Sequence, residues 1–168
     1  SEYSSPVLII PKPNGKGYRF VVDLRQVNER TKRINYYMPD ITGMFDKLKG
    51  AAFTSCLDLQ KGYWQAPLDP DTKHKTAFSC EFGSFQYRVV PMGLISSAQY
   101  YQSFVEKKLD RHGILYKKVH ASSDLSDTYL DSDGVRCKGY IGVFIDDLIV
   151  FSSSADLHRK HLLSLFEV

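Results

Sequence analysis

Short apolar runs rich in β-branched residues recur along the chain and are separated by turn signals. Residues 7–10 and 18–24 are two such runs around the turn sequence Asn-Gly-Lys-Gly, a pattern that predicts a β-hairpin. Residues 76–82 and 85–90 are predicted to pair across Gly83-Ser84. Further strands are predicted at residues 53–59, 140–145 and 148–151.

Helical patterns occupy three stretches of the chain. A helix over residues 39–48 closes at Gly50, and a second over residues 96–109 has a serine cap and Gly113 as its stop. The third begins with an aspartate cap at Asp156, and its His158 and His161 share one face and are interpreted as solvated. Residues 120–134 are polar and lack periodicity, so they are predicted to form a loop.

The composition is that of an ordinary globular protein. Of 168 residues, 43% are hydrophobic and 24% are charged, which excludes a wholly disordered, collagen-like or coiled-coil chain. No apolar run reaches the roughly 20 residues that span a bilayer, and no signal peptide is recognisable, so we expect a soluble intracellular protein with no membrane partner. The three cysteines are far apart and are interpreted as reduced thiols.

The charge distribution is more informative than the net charge of +3. Residues 1–50 hold nine Lys/Arg against five Asp/Glu, whereas the rest of the chain is nearly balanced. A positive excess at this end suits a polyanionic ligand but does not require one. The chain starts without Met and stops inside an apolar run, so both ends are interpreted as cut from a longer protein.

Two adjacent carboxylates, Asp146 and Asp147, interrupt the apolar run at residues 142–152. Two carboxylates about 4 Å apart repel by on the order of 4 kcal/mol at an effective dielectric constant of 20, so this pair favours a bound cation. Magnesium suits these hard oxygen ligands better than zinc or copper does. The alternative is a solvated Asp-Asp turn, and this motif alone leaves the two interpretations open.

Asp58 follows another apolar strand and supplies a third carboxylate. A two-metal phosphoryl-transfer site needs carboxylates from separate backbone segments, so that the ions sit about 3.5 to 4 Å apart. Asp58 and the Asp146-Asp147 tip would supply them if their strands lie side by side. Alone, Asp58 is an ordinary aspartate at a strand end.

Four segments of the chain form a recognisable series: SSPVLIIPKPNGKGYRFVVDLRQVN (4–28), FTSCLDLQKGYWQAPLDPDTKHKTAF (53–78), FGSFQYRVVPMGLISSAQYYQSFVEKKL (82–109) and YIGVFIDDLIVFS (140–152). In this order they resemble reverse transcriptases, most closely those of gypsy-type LTR retrotransposons and more distantly the retroviral enzymes. Any one segment could arise by chance, but four in the family's order make coincidence very improbable.

The resemblance implies an α+β fold, part of the reverse transcriptase fold, in which an antiparallel palm sheet packs on helices. Residues 1–52 would form part of the fingers and residues 53–168 mainly the palm, with 82–92 near their junction. The thumb and RNase H regions would lie beyond Val168. The implied activity is RNA-directed DNA polymerase, a nucleotidyltransferase that adds deoxynucleotides to a primer 3′-hydroxyl by two-metal phosphoryl transfer.

The resemblance also implies cofactors and partners. The cofactor would be magnesium, as two ions, with manganese as a substitute. The partners would be an RNA or DNA template with its primer, deoxynucleoside triphosphates, and the thumb and RNase H regions of the same polyprotein. The expected location is the cytoplasm, in a virus-like particle, or the nucleus.

Carried over residue by residue, the resemblance implies that Asp58, Asp146 and Asp147 are the catalytic, metal-binding aspartates. Lys12 and Arg19 match positions where the fingers contact the triphosphate of the incoming nucleotide, as the N-terminal charge excess would suit. Without the family, these two cations would be ordinary solvated charges.

Four further residues match substrate-binding positions of the family. Tyr63 matches the aromatic residue that selects deoxyribonucleotides, and its alternative is a half-buried strand aromatic. Met92 and Gly93 match the loop beside the templating base, although a plain strand-to-helix turn would explain them as well. Gln102 matches a glutamine of the family's helix that could support the site, with a surface glutamine as the default.

The chain also departs from the family pattern. Phe144 stands where Tyr is usual, and the spacing from Gly93 to Asp146 is roughly two dozen residues longer than in the family. The excess is assigned to an inserted surface loop at about 113–139, since lengthening a loop costs little free energy.

Two rival functions stay open. A decayed or domesticated copy would keep the fold as a non-catalytic nucleic-acid-binding or interaction module, which the insert favours and the intact aspartates oppose. An unrelated metal-dependent phosphotransferase would not need Tyr63 or residues 91–94.

Overall fold

The computed structural model describes residues 1–13, 15–46, 48, 51–112, 128–130 and 136–168. These residues divide into two units. The first comprises Ser1–Asn35 and Lys61–Tyr101, and the second comprises Tyr36–Gln60 and Gln102–Val168. Within the described ranges, every helix is too short or too polar to cross a membrane.

The first unit is built from two short hairpins and a short helix. Strands β1 (Val7–Pro11) and β2 (Tyr18–Val22) pair as predicted, and helix α1 (Arg25–Glu29), which was not predicted, follows them. Strands β4 (Phe78–Cys80) and β5 (Gly83–Phe85) form the second hairpin. Both strands are shorter than predicted. The chain reverses at residues 81–82 rather than at Gly83-Ser84, because Gly83, with a φ of +121°, already belongs to β5.

The second unit contains a four-stranded antiparallel sheet. Its strands are β3 (Phe53–Asp58), β6 (Thr128–Leu130), β7 (Arg136–Phe144) and β8 (Asp147–Ser152), in the spatial order β3-β8-β7-β6. Alternate residues of the two central strands are buried and form the core of this unit: Ile141, Val143, Leu148 and Val150. Helices and an antiparallel sheet in one chain confirm the predicted α+β class.

The described residues also contain the helices α2 (Ile41–Asp46), α3 (Ser97–Arg111) and α4 (Ala155–Phe166). Helix α2 starts later than predicted, because the carboxylate of Asp40 accepts hydrogen bonds from the N–H groups of Thr42 and Gly43. The cap predicted for α4 at Asp156 is wrong. Ser154 is the cap, and its Oγ accepts a hydrogen bond from the Leu157 N–H at 3.3 Å.

Part of the predicted insert is β-structure. Strand β6 pairs with residues 136–138 of β7, and Gly139 already pairs with Ser152 of β8. The prediction of a loop at 113–139 is therefore wrong at 128–130 and 136–139, where strand pairing satisfies the backbone of a polar sequence. The remaining insert residues, the turn residue Asn14 and the predicted helix stops Gly50 and Gly113 lie outside the described residues.

Hydrogen bonds between two buried histidines of α4 and serines of the sheet join the helix to the sheet. His158 and His161 are 9% and 6% exposed, so the prediction that they are solvated is wrong. The Oγ of Ser55 lies 2.8 Å from His158 Nε2, and the Oγ of Ser152 lies 3.0 Å from His161 Nδ1. Hydroxyl groups of β3 and β8 thus provide hydrogen bonds for rings that would be costly to bury alone.

The free energy of unfolding should fall as the pH is lowered, because His161 is buried. Burial lowers the pKa of His161 in the folded state, and the charge of His158 lowers it further. The unfolded chain takes up a proton near pH 6.5, where the folded chain does not, so stability falls below about pH 6.5 and levels off below the folded pKa. Urea unfolding at several pH values measures this slope.

The matched controls for this prediction replace one histidine at a time. His161→Asn should flatten the pH dependence, whereas His112→Asn, which changes an exposed histidine, should leave it intact. An unchanged slope in His161→Asn would show that another group titrates.

Candidate active site

Two of the predicted aspartates face each other across adjacent strands. Asp58 of β3 is the direct partner of Asp147 of β8, and both side chains are exposed. Directly opposed residues of an antiparallel pair lie about 4.5 to 5.5 Å apart at Cα and share one face of the sheet. Opposed like charges cost a sheet on the order of 0.2 to 1 kcal/mol, so this arrangement favours a cation between them.

The third aspartate lies in the turn between β7 and β8. Phe144 pairs with Asp147, so the turn consists of Ile145 and Asp146, one residue before the predicted Asp146-Asp147 tip. Ile145 has a φ of +59°, a strained conformation for a β-branched residue and one that is often found at functional sites. The N–H of Leu59 donates to the Asp146 carbonyl at 2.8 Å and ties the turn to the end of β3.

Gln102 supports this turn from the interior. Its side chain is completely buried, unlike the surface glutamine that is the default expectation. Its Oε1 accepts a hydrogen bond from the Ile145 N–H at 2.7 Å, and its Nε2 donates to the Val143 carbonyl at 2.9 Å. The amide therefore binds the backbone of the turn.

The three carboxylates offer hard oxygen ligands on an open surface. Across the described part of the chain, no three histidine, cysteine, aspartate or glutamate side chains are gathered into a complete metal-binding cluster. Magnesium usually keeps several waters and binds one or two carboxylates together with substrate phosphates. An opposed pair, Asp58 and Asp147, with Asp146 beside it, therefore fits magnesium better than a metal that needs a closed set of protein ligands.

The two predicted phosphate-binding cations lie in one hairpin of the first unit. Arg19 is opposite Ile10, and Lys12 follows β1 directly, with its N–H donating to the Gly17 carbonyl at 3.0 Å. Both side chains are exposed, and neither forms an ion pair with any residue that the structure describes. Their charges are accessible to an anionic ligand.

Tyr63, also in the first unit, lies in a 3-10 turn, Gly62–Gln65. The side chain is half-buried, and its ring packs edge-on against the fully buried ring of Tyr101, with centroids 5.4 Å apart. This contact fixes one side of the Tyr63 ring.

The predicted loop residues Met92 and Gly93 precede α3. Met92 is 64% exposed, and Gly93 has a φ of +96°, a conformation that glycine adopts without steric cost. The loop is anchored next to them, because the Oγ of Ser97 donates to the carbonyl of the buried Pro91 at 2.8 Å.

Asn28 holds the other side of this loop and was not singled out from the sequence. Its Nδ2 donates to the Gly93 carbonyl at 2.7 Å, and its Oδ1 accepts from the Ile95 N–H at 2.8 Å. The only available signal was its place at the end of the first family-like segment.

Comparisons with known proteins agree with this architecture. The chain matches the family described as reverse transcriptase (RNA-dependent DNA polymerase) over residues 10–168. It is 33% identical over 166 residues to the retrovirus-related Pol polyprotein from transposon opus, and 36% identical over 171 residues to that from transposon 412, both of Drosophila melanogaster. These matches cover 96% and 99% of this chain but only 14% and 12% of the polyproteins.

Two solved structures of a foamy viral protease-reverse transcriptase share the fold. The complex with double-stranded DNA gives a TM-score of 0.72 at 24% identity and covers 98% of this chain and 24% of that one. The complex with an RNA/DNA hybrid gives a TM-score of 0.71 at 23% identity and covers 98% of this chain and 18% of that one. The predicted reverse transcriptase fold is confirmed.

The sheet and the matched segments thus define a polymerase-type fold. The chain belongs to the reverse transcriptase family, and its relatives include the Pol polyprotein of transposon gypsy from Drosophila melanogaster, with 28% identity over 167 residues. The predicted kinship with gypsy-type retrotransposons is confirmed. The chain spans about an eighth of the length of the transposon polyproteins it matches.

Proposed function

We propose that this chain forms the fingers and palm of an RNA-directed DNA polymerase that adds deoxynucleotides to a primer 3′-hydroxyl. The observation that carries the proposal is the opposed pair Asp58 and Asp147, with Asp146 beside it, at an open end of the sheet. Family membership supports the same activity. Residues 1–52 would contribute to the fingers and 53–168 mainly to the palm, while other segments of a polyprotein would complete the enzyme.

The three aspartates would hold two magnesium ions, with manganese as a substitute. When bound, the ions would lower the pKa of the primer hydroxyl and stabilise negative charge on the leaving pyrophosphate. The contribution of the chain itself is positioning. The β3–β8 register keeps Asp58 next to Asp147, and the hydrogen bond from Leu59 holds the Asp146 carbonyl. Accurate positioning matters because an attacking oxygen must lie in line with the phosphate.

The incoming deoxynucleoside triphosphate would be bound by residues of the first unit. Lys12 and Arg19 would bind its phosphates, because both are exposed cations on one hairpin. The loop at Met92 and Gly93 would lie beside the templating base, since its positive-φ glycine leaves the backbone open to close approach. An RNA or DNA template with its primer would be the macromolecular ligand.

Tyr63 is proposed to exclude ribonucleotides, because its ring is held on one side by Tyr101 and would crowd a 2′-hydroxyl. Tyr63→Ala should reduce the preference for deoxyribonucleotides by at least about tenfold, the low end of what a small steric difference provides. Tyr63→Phe, which keeps the ring, should retain the preference. Single-nucleotide incorporation with paired deoxy- and ribonucleotides measures the ratio of kcat/KM values, and an unchanged ratio in Tyr63→Ala would refute the role.

The test of the proposed function is primer extension on an RNA template. The protein should contain this chain together with the polyprotein segments that adjoin it in its reading frame. We expect template-directed addition of deoxynucleotides that requires magnesium or manganese. Binding of the template-primer without any addition, with either metal, would refute the enzyme and would favour a non-catalytic nucleic-acid-binding module.

A further inference from the structure

A network of hydrogen-bonded polar side chains runs from the half-buried Tyr36 through two buried residues of α3 to the candidate catalytic turn. Gln102 and Glu106 lie one helical turn apart and are 0% and 2% exposed. The Nε2 of Gln102 donates to Glu106 Oε1 at 2.9 Å, and the hydroxyl of Tyr36 donates to Glu106 Oε2. Both carboxylate oxygens therefore accept a hydrogen bond inside the protein.

At the end of this network that lies next to the turn, the Gln102 amide forms hydrogen bonds that a neighbouring strand would otherwise form. In a β-strand, the carbonyl of one residue and the N–H two residues later point to the same side. Gln102 satisfies such a pair, the Val143 carbonyl and the Ile145 N–H. Strand β6 pairs only with residues 136–138 of β7, so in the described structure it does not reach these two groups.

Glu106 determines the direction in which the Gln102 amide points. A carboxylate accepts hydrogen bonds, so it orients the NH₂ group of Gln102 towards itself. The same NH₂ group also donates a hydrogen bond to the Val143 carbonyl. The amide oxygen is therefore on the side of the Ile145 N–H and accepts a hydrogen bond from it. A reversed amide would set its oxygen against two acceptors and its NH₂ group against a donor. The hydroxyl of Tyr36 in turn holds the carboxylate.

We propose that Tyr36 and Glu106 are positioning residues for the catalytic turn. Through Gln102 they hold the peptide N–H of Ile145, a residue whose backbone is strained, and thereby orient the adjacent Asp146. The catalytic part of this inference rests on the proposed function, whereas the positioning of the turn does not. Neither Tyr36 nor Glu106 belongs to the set of candidate site residues predicted from the sequence.

Amide hydrogen exchange of Ile145, resolved by NMR on this chain, tests the positioning directly. Glu106→Leu removes both acceptors at similar volume, and Gln102→Leu removes the amide. In each variant the exchange rate of Ile145 should rise at least about tenfold relative to the amides of β8, a central strand paired on both sides. Tyr36→Phe should give a smaller rise. Glu106→Gln, whose amide oxygen can still accept from Gln102, should stay close to the wild type.

Val105→Ala is the matched control, because it removes packing from a buried position next to Glu106 and leaves every side chain of the hydrogen-bonded network in place. It should change the exchange of Ile145 and of β8 in parallel. If Glu106→Leu leaves the ratio of the Ile145 rate to the β8 rates unchanged, or if Val105→Ala raises that ratio equally, the proposal is wrong.

The catalytic consequence is measured separately, by single-turnover incorporation in the protein that extends primers. Glu106→Leu should lower the maximal rate of single-turnover incorporation at least about tenfold, with little change in the nucleotide concentration that gives half of that rate, and Glu106→Gln should largely restore the rate. A released Ile145 amide with an unaltered incorporation rate would overturn the link to catalysis. A wild-type protein that adds no nucleotide would refute the proposed function, while the exchange experiment would still decide the positioning.

Discussion

Asp58→Asn should abolish primer extension while making the metal-free protein more stable. Loss of one carboxylate from the metal site removes several kcal/mol of transition-state stabilisation, so we expect incorporation to fall by at least about 10³-fold, equivalent to roughly 4 kcal/mol. The same change removes the repulsion between Asp58 and Asp147 across the sheet, which should raise the free energy of unfolding by about 0.2 to 1 kcal/mol. Single-turnover incorporation and urea unfolding in EDTA measure the two effects.

The opposite signs of these effects separate a metal site from a structural one. Asp71→Asn, the same chemical change at an exposed aspartate of the first unit, should leave both quantities nearly unchanged. Magnesium should raise the stability of the wild-type protein more than that of Asp58→Asn, because ligand binding to the folded state stabilises it. Ordinary extension by Asp58→Asn would refute the assignment.

The strands that carry the aspartates could be predicted from sequence because their apolar residues form short, continuous runs. The register of these strands could not be predicted. Asp58 lies opposite Asp147 through the long-range pairing of β3 with β8, which no local pattern specifies. The β7–β8 turn is one residue away from the predicted tip, because Ile145, a β-branched residue, adopts a positive φ. No local propensity predicts that conformation, which is maintained by contacts from distant parts of the chain.

Buried polar residues were the main failure of the sequence-based interpretation. The sequence predicts a solvated His158, and for Gln102 it offers a surface position as the default beside the site-supporting role that the family resemblance implies, yet both residues are buried. Besides nearby partners, each has partners that are distant in the sequence: Ser55 for His158, and Val143 and Ile145 for Gln102. Periodicity shows which residues share a helix face, but it does not show which polar group lies opposite that face. Burial of a polar residue can be recognised only when its partner is known.

Because the sequence does not show which residues lie opposite one another, it also predicts that Gly139 belongs to a surface insert. Its neighbours in sequence are polar, but in the structure Gly139 is buried in β7 and pairs with Ser152. A β-carbon at this position would lie 3.2 Å from Cδ2 of Leu157 and closer than van der Waals contact to Cε1 of His161. The absence of a side chain is thus what allows α4 to approach the sheet.

Gly139→Ala should therefore destabilise the protein by about 1 to 3 kcal/mol, the usual cost of an extra carbon in a packed core. The ring of His161 cannot turn away freely, because its Nδ1 is within hydrogen-bonding distance of Ser152 Oγ. Urea unfolding at pH 7.5, where the histidine is neutral in both states, measures this loss without a contribution from titration.

A double-mutant cycle identifies the contact responsible. In a His161→Ala background the ring is absent, so Gly139→Ala should cost less by at least about 1 kcal/mol, a coupling typical of residues in direct contact. The same cycle with Leu163→Ala, which shortens an exposed side chain of α4, should show additivity. A surface loop would tolerate alanine at position 139 in every background. A negligible effect of Gly139→Ala would therefore contradict the packing of α4 against β7.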